Sequence, residues 1–177
     1  GAWRWSIWTI KRSCAFFYKP KPQNNTSRTL TASVITPVYN ENPKVFLKAI
    51  TSWEKNKPKE IIAVIDYTDK ACISVFKKFA QNNPRAKLMV TKKPGKRPAL
   101  ADGIRIAKGD VVVLVDSDTI WTGSVLKNGL APFADPKIGG VATKQTVIET
   151  KTLAQKLFSI RLEQRYWDEV PFLAKTG

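Results

Sequence analysis

The sequence predicts an α/β fold, a mostly parallel sheet with helices on both faces. Three observations predict it. From residue 33 onward, short apolar β runs alternate with stretches whose apolar residues recur at helical spacing, through four successive βα units. Each β run ends in polar or charged residues, as parallel strands do where they meet a ligand rim. The fourth, Asp110 to Val115, contains an unbroken apolar run of the kind found in a strand covered on both faces.

The elements follow in order. Residues 1–18 stand apart: Trp3, Trp5 and Trp8 lie close together, and Arg4, Lys11, Arg12 and Lys19 share one side of the helix they would form. The rest of that helix is apolar and aromatic, which suits a lipid headgroup layer or, equally, packing on another part of the protein. Residues 19–32 are polar and Pro-rich and read as a linker, so the domain is expected over 33–177. Within it, Ser33 to Val38 is a buried strand, and Lys44 to Glu54 a helix with Val45, Ala49, Ile50 and Trp53 inward. Glu60 to Ile65 is a strand, Lys70 to Gln81 a helix, and Ala86 to Thr91 a strand. Pro98 suits the first turn of a helix running to Ala107. After the fourth strand come a helix over Gly123 to Phe133 and a further strand over Lys137 to Thr143. A long amphipathic helix over Thr152 to Val170 closes the series, with Leu153, Leu157, Ile160 and Trp167 on one side.

Composition narrows the function. Thirty Lys and Arg against 14 Asp and Glu give a formal charge of +16, a field that attracts nucleic acid, an anionic bilayer or a phosphorylated substrate. The chain has no histidine, and its two cysteines, Cys14 and Cys72, are far apart, so the usual zinc sites and histidine triads are not expected. Two free thiols fit a reducing compartment. No uncharged apolar run is long enough to span a bilayer. The chain starts without Met and stops at Lys175-Thr176-Gly177, and is read as a piece of a longer protein.

The strand ends carry the candidate chemistry. Pro37-Val38-Tyr39-Asn40-Glu41 follows the first, Asp66 the second, Lys92 to Arg97 the third, and Asp116-Ser117-Asp118 the fourth. Two carboxylates flanking Ser117 suit a hard divalent cation, Mg²⁺ or Mn²⁺, which keeps several waters and also takes diphosphate oxygens. By itself Asp-x-Asp recurs by chance; its place on a rim shared with Asp66, Lys96 and Arg97 gives it weight. The basic stretch from Lys92 to Lys108, with Gly95 at its turn, suits phosphate more than a solvated face. Asp66 is suited to a base or ribose, or to capping the next helix. Tyr39 is suited to stacking on a base or to packing on the rim.

Together these segments resemble family 2 (GT-A fold) glycosyltransferases, above all the processive, membrane-embedded group of hyaluronan, chitin and cellulose synthases. The matching pieces are Ser33 to Glu41, Val64-Ile65-Asp66, Gly95 to Leu100, Gly109 to Thr119, and Gly139 to Gln145. The Gly95-Lys96-Arg97 run and the Gly-Gly-Val segment look most like hyaluronan-synthase-type proteins. By position, the resemblance implies a nucleotide-contacting loop at Pro37, Tyr39 and Glu41, and an acidic residue near uracil at Asp66. It implies basic residues near the diphosphate at Lys96 and Arg97, and the Asp-x-Asp pair at Asp116 and Asp118, with Asp118 on the metal. The implied activity is inverting transfer from a UDP-sugar donor to a growing glycan acceptor at the cytoplasmic face of a membrane. The family's later acidic motif, which supplies the general base, and its Gln-x-x-Arg-Trp motif do not appear; Gln164-Arg165-Tyr166-Trp167 has the letters in the wrong arrangement. Two other readings compete. A nucleic-acid module would explain the charge, but no nucleic-acid motif is present and the basic residues are spread along the chain. An inactive membrane adaptor would keep the fold alone.

Overall fold

A computed structural model describes residues 2–17, 30–148 and 150–171. The chain divides into two compact units, Gln23–Val141 and a second made of Gly1–Pro22 with Ala142–Gly177.

The first unit is a four-stranded sheet in the order β3-β2-β1-β4, with every pairing parallel. Its strands are β1 (Ala32–Val38), β2 (Glu60–Asp66), β3 (Ala86–Thr91) and β4 (Val111–Leu114). Ser33 lies opposite Glu60 and Val38 opposite Ile65, so β1 and β2 finish level. Alternate side chains go to opposite faces. Val34, Ile61, Ala63 and Ile65 meet α2 (Pro43–Glu54) and α3 (Lys70–Gln81), where Phe46 stacks on Phe76 at 6.0 Å. Ile35, Ile62 and Val64 meet Ala99 of α4 (Lys96–Ile106). That helix lies so close to the sheet that a Cβ on Gly103 would stand 2.5 Å from Ile35 Cγ2.

Local chemistry sets the helix starts. Asn42 accepts from the N–H groups of Lys44 (3.0 Å) and Val45 (3.4 Å), with Pro43 in the first turn. Asp69 accepts from Cys72 N–H at 3.0 Å and caps α3; Asp66, the alternative sequence candidate, does not cap it. Past β4, the helix expected over Gly123 to Phe133 forms as α5 (Val125–Leu130) followed by a 3₁₀ turn, Ala131–Ala134.

Two expectations fail here. The fourth strand is not covered on both faces: Val113 packs inward while Val112 and Leu114 are 38% and 53% exposed. α4 crosses β1 and β2 and leaves that side of β4 open. Lys137 to Thr143 is not a strand either. At its end the backbone finds a side chain instead of a ladder: Thr143 C=O accepts from the Tyr166 hydroxyl (3.0 Å), which in turn accepts from Gln145 N–H just beyond (2.8 Å).

The second unit contains α1 (Ala2–Phe16) and α6 (Leu153–Gln164), the latter closed by a capping box between Thr152 and Gln155 and continued by a π-helical turn, Arg165–Glu169. α1 packs on that turn, with the Arg12 guanidinium 5.3 Å above the Trp167 ring and donating to the Trp167 carbonyl (3.3 Å). The linker expected over 19–32 lies outside the described residues up to residue 29, as do Tyr18 and Lys19. Among the described residues no helix is long and apolar enough to cross a membrane.

Candidate active site

All four strands run the same way, so their carboxyl ends form one rim and the residues that follow converge there. They enclose a cleft of about 790 Å³. Pro37, Tyr39, Glu41, Asp66, Lys96, Asp116 and Asp118 all line it, seven of the eight residues singled out from sequence. Arg97, in the first turn of α4, is exposed and is not among the lining residues. Lys92 and Lys93, from the basic stretch expected to meet phosphate, also line the cleft, and so do Thr68 and Ser117, which were not ranked as candidates. Each sits one to four residues from a ranked one, so strand-end position was the available signal.

After β1, Asn40 adopts a left-handed backbone (φ 49°), which Asn tolerates better than most residues. Tyr39 on one side of it is 73% exposed. Glu41 on the other side is tied in: its carboxylate accepts from Asn42 N–H (2.8 Å) and from the Ser117 hydroxyl (2.8 Å). The Glu41 N–H donates to Asp69 (3.2 Å), and its carbonyl accepts the Cys72 thiol (3.4 Å). Burial first, then Asp69 and Glu41, push that thiol up to about 12.

After β2, Asp66 Oδ1 accepts from the Thr68 hydroxyl (2.5 Å) and N–H (2.9 Å). These two bonds, the hydroxyl first, hold the Asp66 carboxyl below the usual carboxylate range, so it faces the cleft as an anion and an acceptor.

After β3, Gly95 takes φ 104°, a region other side chains avoid, and starts α4 directly beneath the cleft. The cations around it differ. Lys93 is spoken for by Asp102 (3.1 Å), which also holds Arg105 (2.6 Å). Lys96, the first residue of α4, pairs with Asp116.

After β4, Asp116 and Asp118 are exposed to the cleft, with Ser117 between them held by Glu41. Asp118 has no hydrogen-bond or ion-pair partner among the described residues. The loop carrying both acids is anchored from the opposite side by the end of α2. The fully buried Trp53 donates from Nε1 to Thr119 C=O (2.8 Å) and lies 6.0 Å from Trp121. Ser52 accepts from Trp121 N–H (2.9 Å), and Asn56 bridges Thr122 C=O (3.0 Å) and Leu126 N–H (3.2 Å). The acids thus hang from a rigid core helix, as a binding site requires.

The donor set suits a hard divalent cation. Asp118 is without a partner among the described residues, Asp116 has one oxygen on Lys96, and both offer oxygens only. No cluster of three or more acids, His or Cys forms a closed cage among the described residues, so other coordination positions would fall to water or an anionic ligand.

Comparison with known proteins places the chain in a family and supports its fold. Residues 33–175 match the model of the family described as "Glycosyl transferase family 2". A "Type 2 glycosyltransferase" of Zymoseptoria tritici is 28% identical over 152 residues, covering 84% of this chain and 32% of that protein. An "N-acetylglucosaminyltransferase" of Bradyrhizobium elkanii is 31% identical over 114 residues, covering 62% of this chain and 63% of that protein. The chain spans about a third of the length of the Zymoseptoria relative and of several others. Among solved structures, the mannosyltransferase PcManGT from Pyrobaculum calidifontis, in complex with GDP-Man and Mn²⁺, superposes with a TM-score of 0.66 at 24% identity, covering 78% of this chain and 43% of that one. That likeness supports the α/β, GT-A-like fold.

Proposed function

The chain belongs to glycosyl transferase family 2, and on that premise we propose that it forms the donor-binding part of an inverting transferase that moves a sugar from a UDP-sugar to a growing glycan. One observation carries the reading. Two exposed acids, one of them without a partner among the described residues, line the same cleft as an anionic Asp66, Lys92 and the Lys96 that pairs with Asp116. A nucleoside diphosphate offers the complementary set: a base with N–H donors, a ribose, and a diphosphate needing cations.

Asp116 and Asp118 would hold Mg²⁺ or Mn²⁺, which when bound stabilises charge on the leaving diphosphate. The protein's own groups do the remainder of donor capture. Asp66, kept ionised by Thr68, accepts from the base, and Tyr39 supplies an exposed ring for stacking. Lys92 and Lys96 draw the phosphates in. Ser117, fixed by Glu41, limits how far the two acids can turn. Activation of the acceptor hydroxyl is assigned to none of these residues.

The test is calorimetric titration of UDP and GDP with and without Mn²⁺. UDP is expected to bind better than GDP and to need the metal, and Asp118→Asn should weaken binding by about 100-fold, or about 2.8 kcal/mol. Metal-independent binding that ignores the substitution would refute the assignment.

The reading extends to residues 1–18 as a membrane-surface element on the cytoplasmic face, in a processive polysaccharide synthase of the hyaluronan type. The supporting feature is exposure: Trp3, Trp5 and Phe16 are 76%, 71% and 84% exposed. Flotation with anionic liposomes is expected for the whole chain and should fall for a chain lacking residues 1–18. Equal flotation removes the anchor role.

A further inference from the structure

One of the two acids that would hold the metal is already paired with a cation of the chain itself. Lys96 Nζ sits on Asp116 Oδ1, while Asp118 two residues on has no partner among the described residues. Both members of the pair are open to water, at 60% and 57% side-chain exposure. An exposed pair of this kind is held weakly and exchanges readily. Lys96 is the first residue of α4, and its flexible four-carbon stem can swing about its own bonds without moving the helix.

From this we infer that Lys96 is an exchangeable counter-ion that makes metal capture conditional on the diphosphate. The inference rests on the donor reading above and adds an order to it. A free dication approaching Asp116 must displace Lys96 or settle beside its positive charge. A dication arriving with a diphosphate brings the anion onto which Lys96 transfers. Lys96 therefore opposes the bare ion and favours the metal–nucleotide complex. A residue that only contacted phosphate would have no effect on the bare ion, and one that only stabilised the fold would move both affinities in the same direction. The opposite signs are what distinguish the exchange.

The experiment measures Mn²⁺ binding to the full chain by electron paramagnetic resonance, with UDP absent and then present, for wild type, Lys96→Met and Lys96→Arg. Lys96→Gln replaces the Met variant should circular dichroism show that it folds poorly. Without UDP, Lys96→Met is expected to bind Mn²⁺ about tenfold more tightly than wild type, because a unit positive charge a few ångströms from a dication has been removed. Its affinity for UDP in saturating Mn²⁺ should fall by about the same factor. Lys96→Arg should resemble wild type in the first measurement. Unchanged or weaker binding of free Mn²⁺ by Lys96→Met, with UDP still bound by wild type in a metal-dependent way, overturns the exchange and leaves the donor site standing. Absence of metal-dependent UDP binding by wild type overturns the donor reading and the exchange with it.

Discussion

The two ends of the sheet use the same residue types for opposite purposes. At the amino end, Glu60 is 2% exposed and fully engaged. It accepts from Ser33 Oγ (2.5 Å) and Lys108 N–H (2.5 Å) and pairs with Lys87, while Ser33 Oγ accepts in turn from Gly109 N–H (2.7 Å). At the carboxyl end, Asp116 and Asp118 are exposed, one on a mobile-stemmed Lys96 and one unpartnered among the described residues. A carboxylate whose lone pairs are consumed inside the protein stabilises the fold and can bind nothing else. One left in a cleft contributes little to stability and keeps its oxygens for a ligand. Burial and partner count, not residue identity, separate structure from chemistry here.

The strongest attempt to break this contrast is Glu60→Ala. It removes the acceptor of the buried Ser33 hydroxyl and the shorter of the two bonds made by Lys108 N–H, and strips Lys87 of its partner; it is expected to cost about 3 kcal/mol in urea unfolding, with UDP affinity unchanged. The same residue predicts a pH effect. Burial raises the Glu60 carboxyl, but Lys87, Ser33 and the Lys108 N–H together outweigh it, so the folded value lies below the ordinary 4.5. That stabilisation is present above pH 4.5 and lost as pH falls below it. Glu60→Gln should flatten this acid limb of the stability curve.

A smaller effect sharpens the comparison at the other end. Glu41 joins the loops after β1 and β4 through Ser117. Glu41→Ala and Ser117→Ala should each weaken metal-dependent UDP binding by about tenfold, the worth of a hydrogen bond to a charged group. The double variant should be no worse than either single one, and additive losses would show that Glu41 acts on the ligand directly instead of through Ser117. The smallest expected effect on function comes from Cys72. Its thiol is buried and pushed up to about 12, so iodoacetamide at pH 8 should label it more than about 100-fold more slowly than in the unfolded chain, without altering UDP binding.

Much of the fold was readable along the chain. Strand and helix periods are local signals, and β1 to β3 with α2 to α4 formed within about two residues of expectation. Because parallel strands all end on one rim, position after a strand was enough to find Asp66, Asp116 and Asp118. The misses have a common origin. The β-branched run at β4 looks the same at an edge as in the middle of a sheet, since coverage of Val112 and Leu114 depends on where α4 lies. Residues 137–143 needed a partner strand to become one, and at their end Thr143 C=O accepts from the Tyr166 hydroxyl instead.

By itself, then, the sequence determined which residues are strand and helix, which ones crowd the strand ends, and the family to which the chain belongs, because these follow from local spacing and order. Only the tertiary structure decided that Lys96 holds Asp116, that Glu41 holds Ser117 between the two acids, and that Trp53 anchors their loop. Those contacts join residues 20, 76 and 66 positions apart. A charge's partner at such separations is set by packing and solvent exposure, which no local pattern records.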